Sequence, residues 1–332
     1  MNQFERLTAY VEDSFLKPLL ENPYITDVSY NGVDIFYENS KRGRRKWDEK
    51  VSSEQVGDFL RQIANFAEKQ FSYLEPVLDV SFSRYRLNAS FLSVTRVRDK
   101  KSYSFALRIG HEGTAIADDS DFFGGKSRRI LLKALANHES IVIAGETGSG
   151  KTELQKYLLL HLPPSTRVIV IDNVEELELS RGDGELDLTS WLVDEKNPHA
   201  TFSALIKNAL RNNPDYLLVA ESRGKEMLDA LSCVMSGHPI ITTLHAKDLK
   251  AMPYRMARMA MMAGDTIHYD DVLGDIYHHF TVMVYLRKKM VDGEIKRYIE
   301  TIGRLDEESQ SIEVIYSISG NKGRKGGSKC QK

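Results

Sequence analysis

The sequence predicts an α/β protein in which a domain with a mostly parallel sheet follows a smaller α+β domain. A length of 332 residues corresponds to about two domains, and 42% hydrophobic residues suffice to bury a core in each. From residue 128 onward, apolar strand-like runs alternate with helical stretches, which is typical of parallel strands joined by crossover helices. Before residue 111, short alternating runs indicate antiparallel strands.

The composition excludes several classes of protein. Lys and Arg number 45 against 47 Asp and Glu, so no overall positive field draws the chain to nucleic acid or to an anionic bilayer. Two cysteines, Cys233 and Cys330, cannot form a disulfide framework or a Cys-x-x-Cys zinc site. The N-terminus lacks a secretory signal, and no apolar run approaches the roughly 18 to 20 residues of a spanning helix. We therefore expect a cytoplasmic protein in a reducing compartment.

Residues 1–110 are predicted to form the small α+β domain. Asn31-Gly32, between two alternating runs, predicts a hairpin with a two-residue turn. Ser52 and Gln55 fit a capping box for the helix that follows. Further strands of an antiparallel sheet are predicted at 77–82, 86–97 and 102–109.

The rest of the chain divides by composition. Residues 111–127 are rich in Gly, Asp and Ser without a sustained period, and we predict an interdomain linker there. Residues 128–316 are predicted to form the α/β domain. Residues 317–332 have almost no apolar content, which predicts a disordered basic tail. Helices of the α/β domain are predicted around 151–162, 202–211, 225–235 and 249–263.

One glycine-rich segment carries a specific chemical signal. GETGSGKT matches G-x-x-x-x-G-K-[ST] directly after a strand and directly before a helix. Its backbone N–H groups can converge on phosphate oxygens, and Lys151 adds a full charge for the β and γ phosphates. Thr152 is the candidate Mg²⁺ ligand, so we predict that ATP and Mg²⁺ bind here. The predicted nucleotide-binding residues are Gly145, Glu146, Thr147, Gly148, Ser149, Gly150, Lys151 and Thr152.

Carboxylates end two later apolar strands, where they would face the phosphates. VIVID ends in Asp172, with Glu176 shortly after it, and YLLVAE ends in Glu221. Glu221 fits the role of a Walker B carboxylate, which holds Mg²⁺ through water or polarises the attacking water. We predict Glu221 as a catalytic and metal-site residue and the Asp172/Glu176 cluster as a second catalytic group. Which carboxylate is the dominant general base stays open.

A histidine ends the next apolar strand. His245 follows ITTL, where a neutral imidazole could sense the γ-phosphate, and we predict that it is catalytic. His238 lies in the turn before that strand, and both a functional and a structural interpretation stay open for it. The remaining histidines are interpreted as structural.

The ordered set GETGSGKT, VIDNVEEL, LRNNPDYLLVAESRGKE and SGHPIITTLHA resembles the secretion ATPase superfamily that powers type II and type IV secretion, conjugation and type IV pili. The N-terminal part is similar in ITDVSYNG, in RLNA and in SFALR, which ends at Arg108. The resemblance implies a RecA-like P-loop NTPase domain after a PAS-like domain, with ATP bound between them. It implies a homo-hexamer on the cytoplasmic face of a bacterial inner membrane, with secretion or pilus components as partners. It also implies that Arg108 reaches the phosphates, whereas the alternative is a surface arginine.

The sequence departs from the family pattern at several positions. The Asp box usually reads Glu-Asp-x-x-Glu, and those positions are Asp172, Asn173 and Glu176 here. Ala220 replaces a glycine before the Walker B glutamate, and Asn213 replaces an arginine. Two cysteines exclude the tetracysteine subdomain of the type II and pilus-extension branches. The length and the short N-terminal domain look most similar to the type IV secretion and conjugation branch.

We therefore expect an ATPase, which converts ATP and water to ADP and phosphate and couples this reaction to protein or DNA export or to apparatus assembly. A Tad-type or type IV pilus assembly ATPase is the nearest alternative. A nucleic-acid translocase is a second, although the net charge of −2 and the lack of a basic, aromatic-interleaved stripe make nucleic acid an unexpected direct ligand. A degenerate ATP-binding adaptor is a third, because of the altered Asp box and Ala220.

Two further features are interpreted from their residue types. Residues 41–46 carry five positive charges, which predicts a solvated loop or a contact with anionic lipid worth about 1 kcal/mol per cation. Cys233 is predicted to be buried and inert. The methionines with helical spacing are predicted to pack in a core or at a ring interface, namely Met252, Met256, Met259 and Met262.

Overall fold

The computed structural model describes residues 3–110, 114–117, 119–173, 177, 186–264 and 268–318. The chain divides into two compact units. The first unit contains Met1–Glu112 together with Met290–Ile295, and the second contains Gly113–Lys289 and Lys296–Lys332. The short segment Met290–Ile295 thus belongs with the first unit, although it is distant from it along the chain.

The first unit contains an antiparallel sheet whose strand order is β3-β2-β1-β8-β5-β4. Its helices are α1 (Gln3–Glu12), α2 (Lys17–Leu20) and α3 (Ser53–Phe66). Its strands are β1 (Ile25–Tyr30), β2 (Ile35–Asn39), β3 (Gly43–Lys46), β4 (Val77–Phe82), β5 (Tyr85–Ser90) and β8 (Ser104–Ile109), and a separate pair is formed by β6 (Arg96–Val97) and β7 (Lys100–Lys101). Alternate residues of β4, β5 and β8 are buried, so one face of the sheet packs with α1 and α3 in a single core.

Local sequence accounts for the start of α3 but not for the first hairpin. The Ser52 hydroxyl accepts a hydrogen bond from the Gln55 N–H at 3.1 Å, as the capping box predicts. Tyr30 pairs with Ile35, so the hairpin loop spans four residues and the predicted two-residue turn is wrong. The Asn31 side chain closes this loop by accepting from the N–H groups of residues 33 and 34 at 3.0 and 2.9 Å.

The second unit is built on a sheet of strand order β11-β10-β12-β13-β9-β14-β15-β16, parallel from β11 to β14. Its strands are β9 (Ile141–Gly145), β10 (Arg167–Asp172), β11 (Asp187–Leu192), β12 (Tyr216–Val219), β13 (Ile240–Leu244), β14 (Val282–Val291), β15 (Glu294–Asp306) and β16 (Ser311–Ser317). Its helices are α4 (Ser127–Ala136), α5 (Lys151–Leu160), α6 (Phe202–Ala209), α7 (Glu226–Met235), α8 (Met252–Ala260) and α9 (Tyr269–His279). The mostly parallel sheet predicted from the sequence is confirmed.

The central strands are buried on both faces. In β9, Ile141 and Ile143 pack in one hydrophobic cluster, while Val142 and Ala144 pack in another. This two-sided burial explains why such strands are continuously apolar rather than alternating. Cys233 is buried as predicted, and burial raises the pKa of its thiol to about 12. Met252, Met256 and Met259 are buried as predicted for a core, whereas Met262 is exposed in the single chain.

Two helical glycines provide a matched test of packing. A Cβ on Gly57 in α3 would collide with the ring of Tyr103, whereas a Cβ on Gly274 in α9 would find its nearest neighbour, the Gln310 side-chain nitrogen, at 3.7 Å. Alanine favours a helix over glycine by about 1 kcal/mol, and overpacking costs about 1 to 3 kcal/mol. We expect Gly57→Ala to lower the free energy of unfolding and Gly274→Ala to raise it, measured by urea denaturation. Stabilisation by both substitutions would contradict the packing assigned to Gly57.

Candidate active site

Three neighbouring parallel strands end at the same edge of the second sheet. β9 ends at Gly145, β13 at Leu244 and β12 at Val219, in the order β12-β13-β9. The residues that follow these strands are the glycine-rich loop, His245 and Glu221, respectively. Parallel pairing therefore brings together groups that are up to about a hundred residues apart in the chain, as expected for sites at the carboxyl ends of parallel strands.

The loop at residues 145–150 needs glycine at three positions. Gly148 and Gly150 have positive φ angles of 73° and 97°, a region that other residues rarely adopt. A Cβ on Gly145 would lie 2.8 Å from the carbonyl oxygen of Leu286, so this position has no room for a side chain. The loop then runs into α5, whose first residue is Lys151. This is the strand, loop and helix arrangement that presents N–H groups to phosphate.

Lys151 and Ser149 are polar groups that fit a phosphate ligand. Lys151 is buried, and its ammonium donates to the carbonyl oxygens of Gly145 and Glu146 at 3.1 and 3.2 Å. Burial lowers the pKa of Lys151, while the Glu221 carboxylate opposes that shift. The buried Ser149 hydroxyl has no hydrogen-bond partner among the described residues. A bound anion would place negative charge next to the Lys151 ammonium and would offer an acceptor to the Ser149 hydroxyl.

Glu221 has one carboxylate oxygen engaged and the other available. Oε2 accepts a hydrogen bond from the Arg223 guanidinium at 2.7 Å. Oε1 lies 3.2 Å from His245 Nε2, but this contact lacks the alignment of a hydrogen bond, and the buried oxygen has no hydrogen-bond partner in the described part of the chain. Oε1 can therefore accept a proton from a water molecule. Arg223 was not predicted, although it lies only two residues after Glu221.

The strand that carries His245 also positions Glu221. The Thr243 hydroxyl donates to the Ala220 carbonyl at 2.8 Å, and the Ser222 N–H donates to the Thr243 carbonyl at 2.8 Å. The residues on both sides of Glu221 are thus fixed to β13. Sequence analysis missed this role, although two adjacent threonines in a buried apolar strand are a signal for such hydrogen bonds.

The contacts of His245 define its neutral form. Its Nδ1 lies 3.2 Å from the Gly145 carbonyl oxygen, which can only accept, so Nδ1 carries the proton in this contact. Burial, followed by the charge of Lys151, lowers the pKa of His245. A lowered pKa favours the neutral imidazole, and in that form Nε2 faces Glu221 as an acceptor.

Of the other predicted site residues, Asp172, Thr152 and Arg108 lie in the described part of the chain. Asp172 ends β10, is buried, and its Oδ2 accepts from the Leu177 N–H at 3.2 Å. Glu176 lies outside the described residues. Thr152 is the second residue of α5. Arg108 belongs to the first unit, where its Nε lies 4.0 Å from the Asp27 carboxylate on the neighbouring strand β1.

A cavity adjoins the histidine. It has a volume of about 490 Å³ and is lined by Gly145, Glu146, His245, Lys247, Arg255 and Arg258, among others. Three of these side chains, those of Lys247, Arg255 and Arg258, are cationic, which suits an anionic ligand next to the loop.

Comparisons with known proteins agree with this geometry. The family described as "Type II/IV secretion system protein" matches residues 118–292, more than half of the chain. The chain belongs to this family. VirB11, a type IV secretion system protein of Brucella suis, is 27% identical over 316 residues, which cover 84% of this chain and 85% of VirB11. PtlH, a type IV secretion system protein of Bordetella pertussis, is 30% identical over 175 residues, which cover 52% of each chain.

Solved structures share the fold. The ATPase DotB of Legionella pneumophila matches with a TM-score of 0.66 at 20% identity, over 93% of this chain and 81% of DotB. The pilus retraction motor PilT, solved with bound ADP, matches with a TM-score of 0.59 at 16% identity, over 90% of this chain and 82% of PilT. The predicted family resemblance and fold class are confirmed, and the similarity to VirB11 and PtlH lies in the type IV branch.

The contact between Thr243 and Ala220 can be tested by a substitution of equal shape. Thr243→Val removes the hydroxyl that fixes the residue before Glu221. We expect the kcat of ATP hydrolysis to fall about ten-fold, or roughly 1.4 kcal/mol in the barrier, with little change in KM, because the loop and Lys151 are untouched. Steady-state phosphate release measures both constants. Thr189→Val on the edge strand β11 is the control, and an equal loss of kcat in both variants would contradict a positioning role for Thr243.

Proposed function

We propose that this protein is a type IV secretion ATPase that couples ATP hydrolysis to substrate transport or apparatus assembly. One observation carries the proposal: the buried ammonium of Lys151, the available oxygen of Glu221 and the neutral imidazole of His245 meet at the ends of three adjacent strands. Phosphate binding, a proton acceptor and a polar group near the γ-phosphate are what hydrolysis of a phosphoanhydride requires.

In this proposal the loop at residues 145–152 binds the phosphates of ATP. Its N–H groups and the N-terminus of α5 contact the phosphate oxygens, and Lys151 exchanges the carbonyls of Gly145 and Glu146 for the β and γ phosphates. Thr152 and Glu221 would hold Mg²⁺, directly or through water. The ion would neutralise charge on the β and γ phosphates.

Glu221 is the proposed general base. Its Oε1 takes a proton from the attacking water while the water oxygen bonds to the γ-phosphorus and the bond to the β,γ-bridging oxygen breaks, which gives ADP and phosphate. Neutral His245 places Nε2 beside that oxygen and orients the water or the γ-phosphate. Asp172 and Glu176 are proposed as a second catalytic group, and the Oδ2 of Asp172 accepts a hydrogen bond from the Leu177 N–H.

The assembly and its location are also part of the proposal. We propose a homo-hexamer in which ATP lies between the two domains, Arg108 reaches the phosphates, and inner-membrane secretion or pilus components are partners. The similarity to VirB11 and PtlH supports this assignment to a secretion apparatus. Nucleic acid is not expected as a direct ligand, because the chain carries a net charge of −2.

A peripheral contact with the cytoplasmic face of the inner membrane is proposed at the hairpin of β2 and β3. Lys41, Arg42, Arg44, Arg45 and Lys46 are exposed there. Such a cluster attracts anionic headgroups by about 1 kcal/mol per cation. Among the helices that the structure describes, none combines the length and the apolar character needed to traverse a bilayer.

Substitutions of the loop lysine and the strand-end glutamate test hydrolysis. We expect Lys151→Ala to abolish phosphate release and to weaken ATP binding, because it removes the charge at the phosphates. Glu221→Gln should bind ATP as tightly as the wild type and hydrolyse it about 100-fold more slowly, because shape is kept and the proton acceptor is lost. Phosphate release and fluorescent-nucleotide titration measure the two effects.

The exposed residues Glu195 and Lys196 provide controls, as Glu195→Gln and Lys196→Ala. Both control variants should hydrolyse ATP at the wild-type rate. A wild type that binds ATP without releasing phosphate would establish an adaptor instead of an ATPase. Salt-sensitive, several-fold stimulation by single-stranded DNA would favour a translocase.

Arg108 provides a test of the assembled site. Arg86 is its cross-strand partner on β5 and is also partly exposed, so Arg86→Ala is a matched control on the same face of the sheet. We expect the specific activity of the wild type to rise with protein concentration, and Arg108→Ala to lower turnover at least ten-fold without loss of nucleotide binding. Phosphate release across a concentration series measures both. Rates that are equal in the two variants and independent of concentration would show that neither Arg108 nor oligomerisation contributes.

A further inference from the structure

The glycine-rich loop has a contact with β15, which lies on the other side of β9 from β12 and β13 in the strand order. The proposed mechanism does not use this contact. The Nε of Arg297, on β15, donates a hydrogen bond of 2.7 Å to the carbonyl oxygen of Gly148. The two residues are 149 positions apart in the sequence. β15 is therefore connected to the loop by a side chain, although it is not a neighbour of β9 in the sheet.

The backbone that carries Arg297 is itself fixed. Two residues later, the Ile299 N–H donates to the carbonyl oxygen of Phe122 at 3.0 Å. Phe122 is fully buried, and its ring lies 3.1 Å from the position that a Cβ on Gly150 would occupy. Phe122 thus contacts β15 through its carbonyl and lies close to the loop through its ring.

A second cation approaches the same glycine. The Nζ of Lys288, on β14, lies 3.3 Å from the position that a Cβ on Gly148 would occupy. Side chains of the adjacent strands β14 and β15 therefore both approach Gly148. This glycine is exposed and has a positive φ angle of 73°, so its backbone has more conformational freedom than that of other residue types.

The Gly148 contact orients the next peptide group. In a planar trans peptide the C=O and the following N–H point in opposite directions. When Arg297 holds the Gly148 carbonyl, the Ser149 N–H points the other way, and in this structure it donates to the Glu146 carbonyl across the loop at 3.2 Å. The backbone N–H groups of such a loop are the donors that a P-loop offers to phosphate.

We propose that Arg297 is a positioning residue that holds the peptide between Gly148 and Ser149 in the orientation that binds phosphate. A glycine peptide without an external bond can rotate, and the free energy of ordering it would then oppose nucleotide binding. Arg297 removes that cost before the ligand arrives. The identity of the ligand as a nucleotide rests on the proposed function, whereas the ordering of the loop does not.

Two substitutions isolate the hydrogen bond from the charge. The bonding atom is Nε, and the Nε2 of a glutamine lies at the same distance along the side chain, so Arg297→Gln keeps a donor at this place and loses the charge. Arg297→Met has a methyl group at that place and no donor. Arg304→Ala is the control on the same strand, because it removes an ion pair with Glu139 instead of a contact with the loop.

The first measurement is hydrogen exchange of the segment 145–152 in nucleotide-free, full-length protein, followed by mass spectrometry. We expect faster exchange of this segment in Arg297→Met, exchange close to that of the wild type in Arg297→Gln, and no change at this segment in Arg304→Ala. The second measurement is titration with fluorescent ADP and Mg²⁺. We expect binding about ten-fold weaker in Arg297→Met and within about two-fold of the wild type in Arg297→Gln.

Unchanged exchange in Arg297→Met would overturn the proposal, and so would equally weak ADP binding in the Gln and Met variants, which would indicate direct contact of the charge with the nucleotide. If the Met variant does not fold, Arg297→Leu, which also has no hydrogen-bond donor, takes its place. A wild type that binds no ADP would contradict the proposed function, while the exchange measurement would still decide whether Arg297 orders the loop.

Discussion

Parallel pairing of β12, β13 and β9 is the constraint on which the candidate site depends. Val219 is paired with Thr242, and Leu244 with Ala144, so the residues that follow the three strands leave the sheet side by side. Burial on both faces holds this register, because a slip by one residue would exchange the side chains of two hydrophobic clusters. The distance between Glu221 and His245 is thus set by strand pairing that ends one or two residues before each of them.

Electrostatic coupling within the site follows from that placement. Lys151 is buried beside Glu221 and His245, so burial disfavours its charge while the carboxylate favours it, and its own charge lowers the pKa of His245. Arg223 balances Glu221 from the solvent side, and its pKa is raised by that hydrogen bond. An arriving phosphate adds negative charge next to Lys151 and therefore stabilises the ammonium that burial destabilises. Binding of an anion therefore offsets the destabilisation of the Lys151 ammonium that burial causes.

Local signals in the sequence were sufficient for the parts of this site that are contiguous in the chain. The loop between β9 and α5, the cap at Ser52 and the burial of Cys233 each depend on a few neighbouring residues, and the pattern reveals them. The loop after Tyr30 was mispredicted because Asn31 closes a four-residue loop with its side chain, an arrangement that shares the Asn-Gly signature of a two-residue turn. The hydrogen-bond partners of Thr243 and Arg297 could not be predicted, because each side chain donates to a backbone carbonyl of a distant segment. Every residue has a backbone carbonyl, so no residue type in the sequence marks one of them as the acceptor.

The glycines of the loop explain why these distant contacts matter. Gly148 and Gly150 are required because their φ angles are positive, yet the same freedom allows the loop many conformations that do not bind phosphate. Selection of one conformation must come from outside the loop. Lys151 contributes by its bonds to two loop carbonyls, and Arg297 contributes by its bond to a third. A loop that must be glycine-rich to approach its ligand therefore depends for its order on side chains from the strands around it.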